Sequence, residues 1–148
     1  MPFRYRLQSV LRLRRSLEHQ EEQRLFALAA VVNRLRADLE TRQHLDLAAR
    51  RAALAEMGTL SSGAQLQFRA WCDAASLRVI EQLKTQLQEA ERKRLEQVKV
   101  YQEARQEREV FEGLRERQEE IYRSEWARRE QQAADESFLI RTFRTPQD

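Results

Sequence analysis

The sequence predicts an all-α protein: a two-helix antiparallel coiled-coil hairpin, an elongated rod whose second helix is the longer. Ala, Glu, Lys, Leu and Arg account for 83 of the 148 residues, a composition typical of long helices and coiled coils. Gly and Pro together contribute only five residues, too few for the frequent turns of a sheet protein. Charged residues make up 34% and are evenly spread, so the chain can bury a narrow seam between helices but not a thick core. We therefore expect a single coiled-coil domain over residues 1–148.

Helix 1 is predicted over about residues 5–56. Its apolar residues recur every three or four positions, which is the heptad spacing of a coiled-coil seam. The predicted seam contains Leu7, Val10, Leu11, Leu25, Leu28, Val32, Leu35, Leu39, Ala49, Ala53 and Leu60. Charged residues interrupt it at Arg14, Glu18, Glu21, Arg42 and Asp46, so the packing between the helices should be marginal.

The only predicted turn is residues 57–63. Gly58 suits the left-handed position after a helix C-terminus, and Ser62 followed by Gln65 has the spacing of a capping box that begins the next helix. A short connection makes neighbouring helices antiparallel. The start of helix 1 should therefore lie opposite about residues 115–118.

Helix 2 is predicted over about residues 64–142. Its seam runs through Leu77, Ile80, Leu87, Arg94, Val98, Tyr101, Arg105 and Arg108 and then shifts phase to Phe111, Leu114, Gln118, Ile121 and Glu125. Gly113 lies at this shift, so a local bend and simple tolerance of a glycine both remain open. Residues 119–142 should extend beyond helix 1, which leaves Ile121, Tyr122, Trp126, Phe138, Leu139 and Phe143 without helix 1 residues opposite them.

Charge and composition exclude several functions. The five arginines of residues 1–17 are followed by a nearly neutral chain, so a basic stripe for nucleic acid is absent and no nucleic-acid partner is expected. Cys72 is the only cysteine and cannot form an intrachain disulfide. The longest apolar run, residues 26–32, is too short to span a membrane. No secretory signal peptide is expected at the arginine-rich start.

Catalytic patterns are also missing from the sequence. Three scattered glycines cannot form a phosphate-binding loop, and His19 and His44 are too far apart in sequence to suggest a metal site. We predict no catalytic residues, no metal and no cofactor. The protein should be non-enzymatic.

Aromatic residues near the two ends of the hairpin are the most informative feature. Phe68 and Trp71 lie on one side of helix 2 beside the turn, where they form either a partner-binding patch or a small core folded over the loop. At the other end, Phe3, Tyr5 and Leu7 alternate with Arg4 and Arg6. This end and the extension of helix 2 suggest a protein partner; a frayed N-terminus with dimerisation of the extension is the alternative.

Four segments resemble the flagellar type III export protein family FliJ. They are FRYRLQSVLRLR at residues 3–14, SSGAQLQF at 61–68, ARQEREVFEGLRER at 104–117 and REQQAADE at 129–136. Their order and spacing cover nearly the whole chain, although Gly113 replaces a usual helix former and Ala134 a common Leu. The resemblance implies a coiled coil, similar to the stalk of rotary ATPases, whose base enters the ring of a hexameric export ATPase.

The resemblance also implies contact with the cytoplasmic domain of the membrane export gate protein and exchange of export chaperones. It places the protein in the cytoplasm, with peripheral association only at the inner face of the bacterial cell membrane. The residues that it assigns to the ATPase ring are Phe3, Arg4, Arg6, Leu7, Arg14, Arg128, Arg129, Asp135 and Glu136. Those that it assigns to the export gate are Gln43, Leu47, Phe68 and Trp71.

Two further hypotheses share the predicted fold. One is the equivalent stalk of a virulence-type type III secretion system. The other is a generic structural coiled-coil dimer, which a size measurement would distinguish because a stalk should be largely monomeric alone. For the stalk, charge reversal of Arg4, Arg6 and Arg14 should leave the helices intact, on the expectation that these residues make no intrachain contact.

Overall fold

Two long helices form the described part of the chain in this computed structural model, which covers residues 3–57 and 62–144. Helix α1 spans Gln8–Glu56 and helix α2 spans Gly63–Arg144, with 49 and 82 residues. No strand occurs within the described ranges. Hydrogen bonds between α1 and α2 join early residues of one helix to late residues of the other. The predicted fold class, two antiparallel helices of which the second is longer, is confirmed.

Helix α1 begins later than predicted because the residues before it cover α2. The backbone amide of Gln8 donates to the carbonyl of Tyr5 and that of Leu11 to the carbonyl of Leu7. Tyr5 is buried, and its hydroxyl donates to the Phe111 carbonyl at 3.1 Å. Tyr5, which the sequence analysis placed at a partner-binding end, is thus covered by the chain itself: its ring is buried, and its hydroxyl satisfies a backbone group.

Helix α2 begins with the predicted capping box. The Gln65 amide donates to the Ser62 hydroxyl at 3.3 Å, and the Ser62 amide donates to the Gln65 side-chain oxygen at 3.1 Å. Each side chain thus satisfies a backbone donor that the first turn leaves without a helical partner. The prediction for Gly58, and the seam position of Leu60, lie outside the described residues.

The α1 seam follows the predicted heptad. Leu11 and Val32 are fully buried, while the other seam leucines from residue 25 to 39 are half-buried. The interrupting charged residues are half-buried at the same spacing: Arg14, Glu18, Glu21, Arg42 and Asp46. The heptad positions of α1 are therefore covered without a break from Leu11 to Asp46, although some hold apolar and others charged side chains. Two apolar positions, Leu7 and Ala49, are exposed.

The α2 seam corrects the predicted phase shift. Leu114, Gln118, Ile121 and Glu125 are all exposed, as are Leu77 and Arg105. Phe111 is half-buried as predicted, and Arg115, Glu119 and Tyr122 are the half-buried positions that follow it at steps of four, four and three residues. These steps continue the helical period with one additional step of four residues. Helix α2 passes through Gly113 without interruption, and a Cβ built there meets no atom within 4 Å. The prediction gave too much weight to apolar residues and too little to Arg115 and Glu119.

The chain divides into two compact units. The terminal unit contains residues 3–19 and 103–144 of the described chain, and the loop-side unit contains residues 20–57 and 62–102. Each unit contains a segment of α1 and a segment of α2. The assignment of the whole chain to one domain stays a prediction.

The last part of α2 is exposed along its whole length. Every residue from 123 to 144 is exposed, and we call this segment the C-terminal extension. The extension begins later than the predicted residue 119, because Glu119 and Tyr122 are half-buried. Neither described helix has a stretch that is both long and apolar enough to span a bilayer.

Candidate protein-binding surfaces

An aromatic ladder connects the N-terminal residues to the start of the C-terminal extension. The ring centroids of Phe3 and Tyr122 are 5.6 Å apart, and those of Tyr122 and Trp126 are 6.3 Å apart. Phe3 is half-buried in this arrangement. Tyr122 is predicted to have no helix 1 residue opposite it, and the residue that contacts it, Phe3, lies before α1. Trp126 remains 43% exposed.

The predicted ATPase-binding residues near the N-terminus differ in their surroundings. Arg4 and Arg6 are exposed, and neither makes an ion pair within the described part of the chain. Leu7 is partly exposed. These three side chains are available to a partner, whereas Phe3 is half-buried against Tyr122.

Arg14 is held within the terminal unit. Its guanidinium pairs with Glu107 and lies 5.9 Å from the centre of the Phe111 ring. Both contacts come from α2, so reversal of this charge would disturb the pairing of the helices. The expectation that Arg14 makes no intrachain contact is therefore wrong, although its proposed role toward a partner is not tested by this contact.

A cluster of four charged residues in the terminal unit is satisfied internally, two of them on α1 and two on α2. Arg108 donates to both oxygens of Glu18, at 2.6 and 3.2 Å, and also pairs with Glu112. Arg15 donates to Glu112 at 2.6 Å. The hydrogen bond from Arg15 lowers the pKa of Glu112, and the hydrogen bonds to Glu18 raise the pKa of Arg108. We assign this cluster to helix pairing because its members contact one another across the seam.

The C-terminal extension exposes both charges and apolar side chains. The predicted ATPase-binding residues on it are all exposed: Arg128, Arg129, Asp135 and Glu136. Phe138, Leu139, Ile140 and Phe143 are each more than half exposed. The sequence analysis missed Ile140, whose exposure could have been predicted from the end of the helix 1 seam. Exposed apolar residues concentrated on one segment are typical of a protein-binding surface.

The loop-side unit exposes the predicted gate-binding residues. Phe68 and Trp71 are 66% and 68% exposed, with ring centroids 6.2 Å apart. Their exposure argues against a small core folded over the loop. Gln43 and Leu47 on α1 are exposed as well. The structure thus brings Phe68 and Trp71 together as one aromatic pair.

A cleft of about 640 Å³ separates the end of α1 from the start of α2. Ala49 and Ala53 line one side, and Phe68 and Cys72 line the other. Arg69 of α2 also lines the cleft, and its guanidinium donates to the Ala53 carbonyl and to the Glu56 carboxylate of α1, both at 3.2 Å. The cleft exists because alanines at seam positions cannot fill the space between the helices. The alanine-rich stretch of residues 48–55 was the sequence signal for it.

No group of histidine, cysteine or acidic residues suited to a metal ion occurs among residues 3–57 and 62–144. Cys72 is exposed. Both units expose apolar side chains and charged residues.

These features define a helical coiled-coil protein with exposed apolar surface at the turn-proximal residues and on the C-terminal extension. The family model described as Flagellar FliJ protein matches residues 3–147. The chain therefore belongs to the flagellar FliJ family, whose members are components of flagellar export. The comparisons with curated proteins and with solved structures found no significant match.

Proposed function

We propose that this chain is a non-enzymatic stalk of the flagellar type III export apparatus. It inserts its terminal unit into the ring of the hexameric export ATPase, promotes the activity of that ATPase and couples it to the membrane export gate. Export chaperones exchange on the same protein. It acts in the cytoplasm, with peripheral association at the inner face of the cell membrane.

The observation that carries this proposal is the exposure of the whole C-terminal extension. A helix of this length keeps its apolar side chains in water only at a free-energy cost, unless a partner covers them. Arg4 and Arg6 are exposed in the same unit, and arginines can steer binding to an acidic surface on a partner. A helix with exposed apolar side chains, in the same unit as exposed cationic groups, suits insertion into the central opening of a protein ring.

A second partner is proposed for the loop-side unit. The exposed aromatic pair Phe68 and Trp71, with Gln43 and Leu47, forms the proposed gate surface. Aromatic anchors provide most of the binding free energy at many interfaces. Because these residues belong to the other compact unit, the gate surface does not share residues with the ATPase surface.

The proposal is tested by measuring ATP hydrolysis of the purified export ATPase while the full-length chain is titrated in. We expect the chain to hydrolyse no ATP alone and to raise the turnover of the ATPase. The double variant Arg4→Glu, Arg6→Glu should require about tenfold more protein for the same activation, because it reverses two exposed charges at the interface.

The matched control reverses two exposed arginines of the loop-side unit, Arg34→Glu and Arg51→Glu. This control should activate the ATPase as the unmodified chain does. Unchanged turnover of the ATPase at saturating amounts of the unmodified chain would show that the coupling role is wrong.

A further inference from the structure

The residues before α1, which we call the N-terminal segment (residues 3–7), alternate between burial and exposure. Phe3 is half-buried and Tyr5 is buried, whereas Arg4 and Arg6 are exposed. Alternation with a period of two is typical of an extended backbone, whose successive side chains point to opposite sides. The aromatic residues of the segment therefore lie toward α2, and the arginines lie away from it.

Two contacts attach the N-terminal segment to α2. The ring centroid of Phe3 lies 5.6 Å from that of Tyr122, and the Tyr5 hydroxyl donates to the Phe111 carbonyl at 3.1 Å. Tyr5 is only 8% exposed, so burial of its ring adds to the hydrogen bond. The Tyr5 side chain is therefore the main anchor of the segment.

The two arginines beside this anchor have no partner among the described residues. Arg4 and Arg6 each lie next to Tyr5 in the chain, and neither makes an ion pair in the described part of the structure. In the same unit, arginines of α1 already engage Glu107 and Glu112. The charges of Arg4 and Arg6 are thus left for an acidic group outside the chain.

We propose that Tyr5 is a positioning residue for the ATPase surface. By anchoring the N-terminal segment to α2, it holds Arg4 and Arg6 in place for an acidic surface of the partner. A backbone that is already fixed loses less conformational entropy on binding than a free one. Tyr5 itself is buried, so it acts through the arginines on either side of it. This inference rests on the proposed function, because the partner is the export ATPase.

Trypsin cleavage of the full-length chain measures the anchoring without the ATPase. Cleavage after Arg4 and Arg6, identified by intact-mass spectrometry, should follow the population of molecules whose N-terminal segment is detached. Tyr5→Phe keeps the ring and removes the hydrogen bond, so it should raise the cleavage rate about fivefold. Tyr5→Ala also removes the buried ring and should raise the rate by more than about tenfold.

The matched control for the loss of a tyrosine hydroxyl is Tyr101→Phe. Tyr101 is half-buried in the loop-side unit, and its hydroxyl makes no hydrogen bond to a described residue. This control should leave cleavage after Arg4 and Arg6 unchanged, and circular dichroism should show equal helicity for all variants. If Tyr5→Phe is cleaved no faster than the unmodified chain, the hydroxyl is not an anchor and the proposal is wrong.

Titration of the chain into the export ATPase tests the positioning role. Tyr5→Ala should raise the amount of protein needed for half-maximal activation about threefold and leave the maximal turnover unchanged, with Tyr5→Phe in between. In the Arg4→Glu, Arg6→Glu background, Tyr5→Ala should cause no further change, because the charges that it positions no longer fit an acidic surface. A purely structural role for Tyr5 would weaken activation equally in both backgrounds, which would overturn the proposal.

The two measurements separate a failure of this inference from a failure of the proposed function. If the unmodified chain does not raise the turnover of the ATPase, the coupling role is wrong and the positioning role falls with it, while the cleavage rates still report whether Tyr5 anchors the segment. If the unmodified chain and Tyr5→Ala activate the ATPase at the same concentration, the coupling role stands and the positioning role is wrong.

Discussion

Replacing Phe68 or Trp71 with Ala should cost little stability, since each is about two-thirds exposed. A fully buried aromatic side chain removes about 150–250 Å² from water, so roughly a third of that area is at stake here. At about 25 cal/mol per Å², each substitution should lower the free energy of unfolding by at most about 2 kcal/mol. A core aromatic would lose about 3–5 kcal/mol on the same change.

Urea unfolding followed by circular dichroism measures these values, and Phe26→Ala is the matched control. Phe26 belongs to the same unit and is 67% exposed, so its replacement should have a similar cost. The variants should differ in binding. Loss of Phe68 or Trp71 should weaken binding to the cytoplasmic domain of the gate by about 2 kcal/mol or more, about 30-fold in the dissociation constant, whereas Phe26→Ala should not. A loss of 3 kcal/mol or more in unfolding free energy for either variant would show that these aromatics are core.

Three further predictions concern the stability of the two helices and of their pairing, and the same urea unfolding measurement checks them. Leu11→Ala should lower the free energy of unfolding by about 3 kcal/mol because Leu11 is fully buried, whereas Leu13→Ala, at a 57% exposed leucine, should lower it by under about 1 kcal/mol. Equal losses for the two variants would contradict the assignment of Leu11 to the seam between the helices. Ser62→Ala should lower the free energy of unfolding by about 1 kcal/mol because it removes the side-chain acceptor of the capping box. Ser62→Asp should cause no loss, since an Asp oxygen can accept the same hydrogen bond. Arg15 lowers the pKa of Glu112, so this pair should stabilise the fold above the ordinary glutamate pKa and lose its effect as the pH falls through the lowered value; the difference in stability between the unmodified chain and Glu112→Gln should therefore shrink in acid, and a constant difference would refute the assignment.

The sequence was sufficient to predict the helices, their order and the capping box, because these depend on local spacing. The heptad steps of α1 from Leu11 to Asp46 could be read without knowing the partner helix. Ser62 and Gln65 were likewise identified from their separation of three residues. Such features need only residues that are close in the chain.

The surroundings of the N-terminal residues could not be predicted, because they depend on which α2 residues lie opposite. Tyr5 reads as exposed among arginines, yet its hydroxyl bonds to a carbonyl 106 residues away. Arg14 reads as a free cation, yet Glu107 and Phe111 hold it. The α2 seam near Gly113 depends on the opposite helix in the same way. The apolar residues there indicate a phase shift, but the half-buried residues that continue the period include the charged Arg115 and Glu119.

The polar seam residues provide a physical reason for a single helix register. Glu21 accepts a hydrogen bond from the Gln97 amide at 2.5 Å, and Glu18 binds Arg108. Sliding α2 by one heptad in either direction would place Ala90 or Ala104 where Gln97 lies, leaving the half-buried Glu21 carboxylate without this partner. An apolar seam of similar leucines would tolerate such a slip far better. We infer that the charged interruptions weaken the helix pair but fix its register, and the register in turn determines that α2 extends beyond Tyr122.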